Sequence, residues 1–166
     1  PEIFADGCAE RIKYAMIWSE EFLQLLESCD IQERLEEIVA YCVDIKRQVV
    51  EQDEHDTGVR MILNYGHTLG HAIEKVTNHA VSHGQGVAMG MVLITRLGMK
   101  LGRCDAALLH RLCSVLERYH LPCHYDGALS ELAESCLHDK KRSGSTIRLI
   151  LVSTAGKADI LPMDTA

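Results

Sequence analysis

Two histidines four residues apart, His67 and His71 in the run NYGHTLGHAIE, carry the clearest chemical signal in the chain. On a helix that spacing places both imidazoles on one face, about 5–6 Å apart at Cβ, and Glu74 continues the same face. His83 follows in SHGQGVAMGM, beyond a loop long enough to bring the chain back. Imidazoles gathered in this way can hold a divalent metal, and Glu10, early in a helix after small residues, is the natural carboxylate to complete a mixed ligand set. The plain alternative is a polar stripe on a half-exposed helix, with Glu10 an ordinary first-turn acid favoured by the helix dipole. Glycines beside both histidines tilt the balance toward a site, because they let another backbone or a ligand approach closely.

Other residues extend the chemistry toward an anionic, hydroxylated ligand. Arg60, Asn64 and His67 are spaced by four and three, which on a helix projects a cation, an amide and an imidazole from one side. A salt bridge from Arg60 to the preceding DEHD run is the competing use. Lys140 and Lys141 form with Arg142 a compact basic cluster before Gly144, suited either to a solvated loop or to a phosphate. Lys13, one turn beyond Glu10, reads as a solvated side chain when taken alone.

These residues need elements to position them, and the patterning supplies helices. A helix is expected from Asp6 or Gly7, with Ile12, Ala15, Met16, Phe22, Leu23 and Leu26 at helical spacing. A second, over Ile31 to about Gln52, places Leu35, Ile38, Val39, Cys42, Ile45 and Val49 on one stripe. Gly58 permits the turn after it. A third covers residues 60–79 and carries Gly66 and Gly70 in its interior, each costing about 1 kcal/mol against alanine. A fourth follows a Ser82 cap and stops at Gly102; with no charge before Arg96 it reads as the buried central helix. Two more follow, one capped by Asp105 and ended before Pro122, the other over LSELAESCLHDKK. The period then changes, and TIRLILVSTAGKADILPM reads as a β-hairpin. The fold expected over residues 1–166 is a single, mainly α, bundle-like domain with a small C-terminal hairpin.

Composition sets the outer bounds. The chain has 166 residues, 24 acidic against 17 basic, and a net charge of -7. An acidic surface is unsuited to nucleic acid, and dispersed charges leave no membrane span. Seven scattered cysteines, odd in number, without a CxxC pair or a leader-like segment, fit reduced thiols in a cytoplasmic protein. Nine histidines is a high count for this length.

Five ordered motifs then point to a family. They are GCAERIKY at Gly7 to Tyr14, the spacing K-x13-R-x3-N-x2-H from Lys46 through Arg60 and Asn64 to His67, GHTLGHAIE, HGQGVAMGM, and DKK-xx-G at Asp139 to Gly144. Together they resemble the helical C-terminal domain of the 3-dehydroquinate synthases, which are sugar phosphate cyclases. The resemblance implies that Glu10, His67 and His83 ligate a catalytic zinc, or another divalent metal such as cobalt, leaving an open position for substrate. It implies that His71 assists proton transfer, that Lys13 and Lys46 act in the active site, and that Arg60, Asn64, Lys140 and Lys141 hold the substrate. The family reaction converts 3-deoxy-D-arabino-heptulosonate 7-phosphate to 3-dehydroquinate and phosphate in the shikimate pathway, using NAD. Nothing in these 166 residues resembles the family's N-terminal nucleotide-binding domain, so the chain alone is expected to be inactive, and a homodimer is the family's common state. Gln85 stands where the family has Glu, a change expected to remove a hydrogen bond orienting His83; Gly86 stands where the family has a small residue such as Ala. The alternatives are another sugar phosphate cyclase, a metal-dependent polyol dehydrogenase, and a non-catalytic metal-binding helical module.

Overall fold

The computed structural model describes residues 2–53, 58–143 and 147–163, the side chains of 2 and 139–143 excepted. Its first helix, α1 (Glu2–Trp18), begins four residues before the expected start and ends sooner. Ser19 adopts an extended backbone and its hydroxyl accepts from the Phe22 N–H, opening α2 (Glu20–Ser28) as a separate helix. The single expected helix is therefore two, because a capping serine offers the orphan amides of a new helix start a better partner than continuation does. Phe22, Leu23 and Leu26 are still buried, through the direction of α2 rather than of α1.

Helix α3 (Leu35–Gln52) also starts later than expected, since Asp30 accepts from the Gln32 amide and residues 31–34 form a turn. Only Ile38, Ile45 and Val49 of its stripe are buried, Cys42 is partly so, and Leu35 and Val39 face outward. The third expected helix is corrected as well. Residues Val59–Asn64 form a 3-10 turn, Gly66 takes φ +78°, and α4 (His67–Val76) begins immediately afterwards. A side chain at Gly66 would lie 2.6 Å from Met91 Cγ and 2.8 Å from the Val87 carbonyl, so both the turn and the packing demand glycine.

The expected buried central helix is α5 (His83–Lys100), with eleven buried positions. Ser82 caps it through a capping box with Gln85, and Gly102 at φ +66° follows its end. α6 (Ala106–Arg118) is capped by Asp105 as the sequence indicates, and α7 (Leu129–Ser143) follows. Strands β1 (Ile147–Thr154) and β2 (Lys157–Met163) form the antiparallel hairpin, with Leu149 opposite Leu161 and Leu151 opposite Asp159. The hairpin tip packs on the break after α1, where Gly156 donates to the Met16 carbonyl at 2.9 Å. At the centre, Tyr65 is fully buried and shares a 2.6 Å hydrogen bond with Thr95 of α5. Among the described residues no helix is long and apolar enough to cross a membrane.

Candidate metal centre

Two helices approach closely enough here to touch backbone to backbone. A Cβ at Gly70 on α4 would lie 3.0 Å from the Gly86 carbonyl group on α5, and a Cβ at Gly90 would collide with the Gly66 carbonyl oxygen. This contact sets the first residue of α4, His67, beside the first residue of α5, His83, with ring centroids 5.4 Å apart. His71 lies one turn along α4, its ring 5.6 Å from His67 and 5.7 Å from His83. α1 brings Glu10 in from a third direction.

Hydrogen-bond partners fix how the rings face. His67 Nδ1 lies 3.3 Å from the Tyr65 carbonyl oxygen, which only accepts, so Nδ1 carries the proton and Nε2 presents a lone pair. His83 Nδ1 lies 2.9 Å from Glu74 Oε1, which assigns its proton to Nδ1 in the same way. Both Nε2 atoms then turn toward Glu10 Oε1, at 3.2 Å from His67 and 3.8 Å from His83. Glu10 Oε1 is buried and accepts no hydrogen bond among the described residues. Three acceptors converging without a proton between them are a candidate cation site, since a buried acceptor left unpaired costs roughly 1–3 kcal/mol. One atom from each of Glu10, His67 and His83 lies within 4.8 Å of the other two. The donor set suits zinc or a similar ion: two imidazoles and a carboxylate, each imidazole held from behind by an acceptor.

The other oxygen of Glu10 is held by Lys13. Its Nζ lies 2.6 Å from Oε2, and the lysine is 4% exposed, so Lys13 is a buried counter-ion rather than the solvated side chain the sequence suggests in isolation. Burial works against the Glu10 carboxylate, but the His67 imidazole 3.2 Å away and the Lys13 charge outweigh it and hold the carboxyl down at about 2. Desolvation, then the neighbouring His67, push the His71 imidazole below its ordinary value, with Glu74 opposing.

Beside the histidines lies a cavity of about 290 Å³, lined by Met61, Asn64, His67, Thr68, His71, Arg148 and Ile150. Asn64 and His67 thus share a cavity, although the Gly66 turn, not one helix face, brings them together. Arg60 is half-buried on the 3-10 turn, its backbone N–H donating to Asp53 at 3.0 Å, and it does not line this cavity. Lys46 is exposed on α3 and likewise absent from the cavity wall. The side chains of Lys140 and Lys141 lie outside the described residues. Arg148 escaped the sequence reading, because the alternation of β1 does not show which charged residue meets the histidines. Gln85 does not face His83: its side chain accepts from the Ser82 N–H at 3.2 Å, while Glu74 orients the histidine. A Glu at this position could make the same capping contact, so the expected loss at His83 does not arise. A larger cavity of about 630 Å³ lies between the α1 start and the α6 end, lined in part by Asp6, Asp30, Arg118 and His120, away from Glu10, His67 and His83.

The fold occurs in synthases solved with NAD+ and a divalent metal bound. The 2-epi-5-epi-valiolone synthase of Streptomyces hygroscopicus, solved with NAD+ and Zn2+ bound, superposes with a TM-score of 0.82 over 97% of this chain and 47% of its own, at 20% identity. A 2-deoxy-scyllo-inosose synthase complexed with carbaglucose-6-phosphate, NAD+ and Co2+ gives 0.76 over 96% of this chain and 48% of its own, also at 20% identity. Sequence narrows the assignment. Residues 7–142 match the 3-dehydroquinate synthase C-terminal family, and the chain belongs to that family. The 3-dehydroquinate synthase of Enterococcus faecalis is 39% identical over 99% of this chain and 48% of its own length, and that of Streptococcus suis is 39% identical over 96% and 47%. The chain spans about half the length of the curated relatives it matches.

Proposed function

We propose that this chain is the metal- and substrate-binding part of a 3-dehydroquinate synthase, and that Glu10, His67 and His83 are its metal ligands. The observation that carries the reading is Glu10 Oε1, buried, without a hydrogen bond, and faced by two imidazole lone pairs. The relatives at 39% identity bear the dehydroquinate synthase name, while likeness to the other cyclases stands at 20% and speaks for the fold alone. The enzyme reading is also favoured over a bare metal-binding module by the cavity that His67 and His71 share with Asn64 and Arg148.

When bound, a divalent metal supplies Lewis-acid polarisation of a substrate hydroxyl and carbonyl, and NAD supplies the hydride acceptor and donor. The protein's own contributions follow from the geometry. Lys13 keeps Glu10 ionised and aimed; Tyr65 and Glu74 keep Nε2 of each ligand histidine free of a proton. His71, on the cavity wall with its imidazole biased toward the neutral form, accepts a proton from a bound substrate and returns it later. Asn64 and Arg148 hold substrate oxygens in the cavity, with Lys140 and Lys141 supplying phosphate contacts. Arg60 and Lys46 are assigned to the substrate by family resemblance alone. The nucleotide site belongs to a further domain of a cytoplasmic enzyme of the shikimate pathway, working as a homodimer.

Metal analysis of the purified chain tests the reading. About one zinc per chain is expected, lost in both His67→Ala and His83→Ala; metal content unchanged in the two variants overturns the ligand set. Calorimetry with NAD is expected to show no binding to the chain by itself.

A further inference from the structure

His83 stands between two carboxylates. Its Nε2 faces Glu10, while Nδ1 lies 2.9 Å from Glu74 Oε1. On the Glu74 side, His71 closes a second group: one ligand atom from each of His71, Glu74 and His83 lies within 4.8 Å of the other two. His71 and Glu74 are i and i+3 on α4, so both project toward the start of α5. A tetrahedral ion with bonds of about 2.0–2.1 Å holds its donors about 3.3 Å apart, so side-chain rotations alone close this set. Its donors, two imidazoles and a carboxylate, match those around Glu10.

The geometry points to a second divalent-cation site, formed by His71, Glu74 and His83, that fills with a zinc-like ion when metal is in excess. The inference rests on the assignment of Glu10, His67 and His83 as the first site. The two sites differ in what the ion must displace. Glu10 Oε1 has no hydrogen bond to lose, whereas the second ion breaks the His83–Glu74 hydrogen bond and orders an exposed His71. The second site is therefore the weaker. Binding there replaces the Nδ1 proton of His83 with the metal and releases that proton to solvent, so one ring serves an ion on each edge; no electrons are transferred. His71, once it ligates, no longer carries protons, which makes this an inhibitory site.

Zinc titration of the whole chain against a chromophoric chelator, with metal content measured at graded free zinc, tests the inference. Two classes of about one ion each are expected, the second weaker by about tenfold or more. His71→Asn, a change at an exposed position, is expected to retain the first class and lose the second, with its melting temperature unchanged. A single class at high zinc, lost in His67→Ala, overturns the second site and leaves the first standing. Retention of both classes in His71→Asn also overturns it. A single class lost in His71→Asn but kept in His67→Ala overturns the first assignment instead, and with it the ordering proposed here.

Discussion

Two helix contacts in this molecule are held by opposite means. Where α4 meets α5, glycines remove the side chains, and the distance is set by backbone atoms that cannot give way. Where α2 meets α6, Arg111 reaches across to Glu27 at 2.8 Å and Glu20 at 2.9 Å, and long side chains set the distance. The first contact leaves little play, and it carries His67, His71 and His83. The second is partly solvated and can adjust without moving any ligand. A metal set whose atoms must agree within a few tenths of an ångström needs the former kind of support.

The contrast can be broken from either side. Gly90→Ala drives a methyl group into the Gly66 carbonyl oxygen, and a loss of about 3 kcal/mol in denaturant unfolding, together with loss of bound zinc, is expected. Ser82→Ala removes the cap that starts α5 at His83; it is expected to cost about 1 kcal/mol and to weaken zinc binding. Arg111→Met is expected to cost less than about 1 kcal/mol, because its ion pairs are about a third exposed, and to leave zinc affinity unchanged. Zinc loss in the Arg111 variant would show that the charged contact also sets the ligands. Acid tests the Glu10 pairing itself. The Glu10 carboxyl is held at about 2 against an ordinary 4.5, so its pairing contributes stability that is fully present above pH 4.5 and is lost as pH falls toward 2. Melting curves of the metal-free chain and of Glu10→Gln should differ above this window and converge within it.

Much of this was visible before the structure. The caps at Ser82 and Asp105, the buried α5 and the hairpin all follow from local rules that tertiary contacts leave in force. The breaks at Ser19 and Gly66 were hidden, because apolar spacing runs on through both and only the packing shows where the axis changes. Among site residues, the His67–His71 spacing survives because it lies wholly within α4. Arg60 and Asn64 do not keep the helix face assigned to them, since Gly66 intervenes. The role of Glu74 depends on a glycine contact between two helices, which no single-element pattern records. Lys13 could not be recognised as buried until α1 was placed.

The hydrogen bond from Gly156 to Met16 joins segments 140 residues apart in the chain, and Glu10 lies on the helix whose last turn this bond holds. Contacts between such distant segments form late, because the intervening chain must first be ordered. During synthesis, α4 and α5 bring His67 and His83 together against α1, the Ser82 hydroxyl donating to Asp6 at 2.6 Å, before the hairpin exists to hold the end of α1. In the proposed ligand set the hairpin then adds the last restraint on the helix that bears Glu10, and the tightest metal retention is expected once the hairpin has formed. A truncation that removes the hairpin, although it touches none of the ligands, should yield a protein that releases its metal readily.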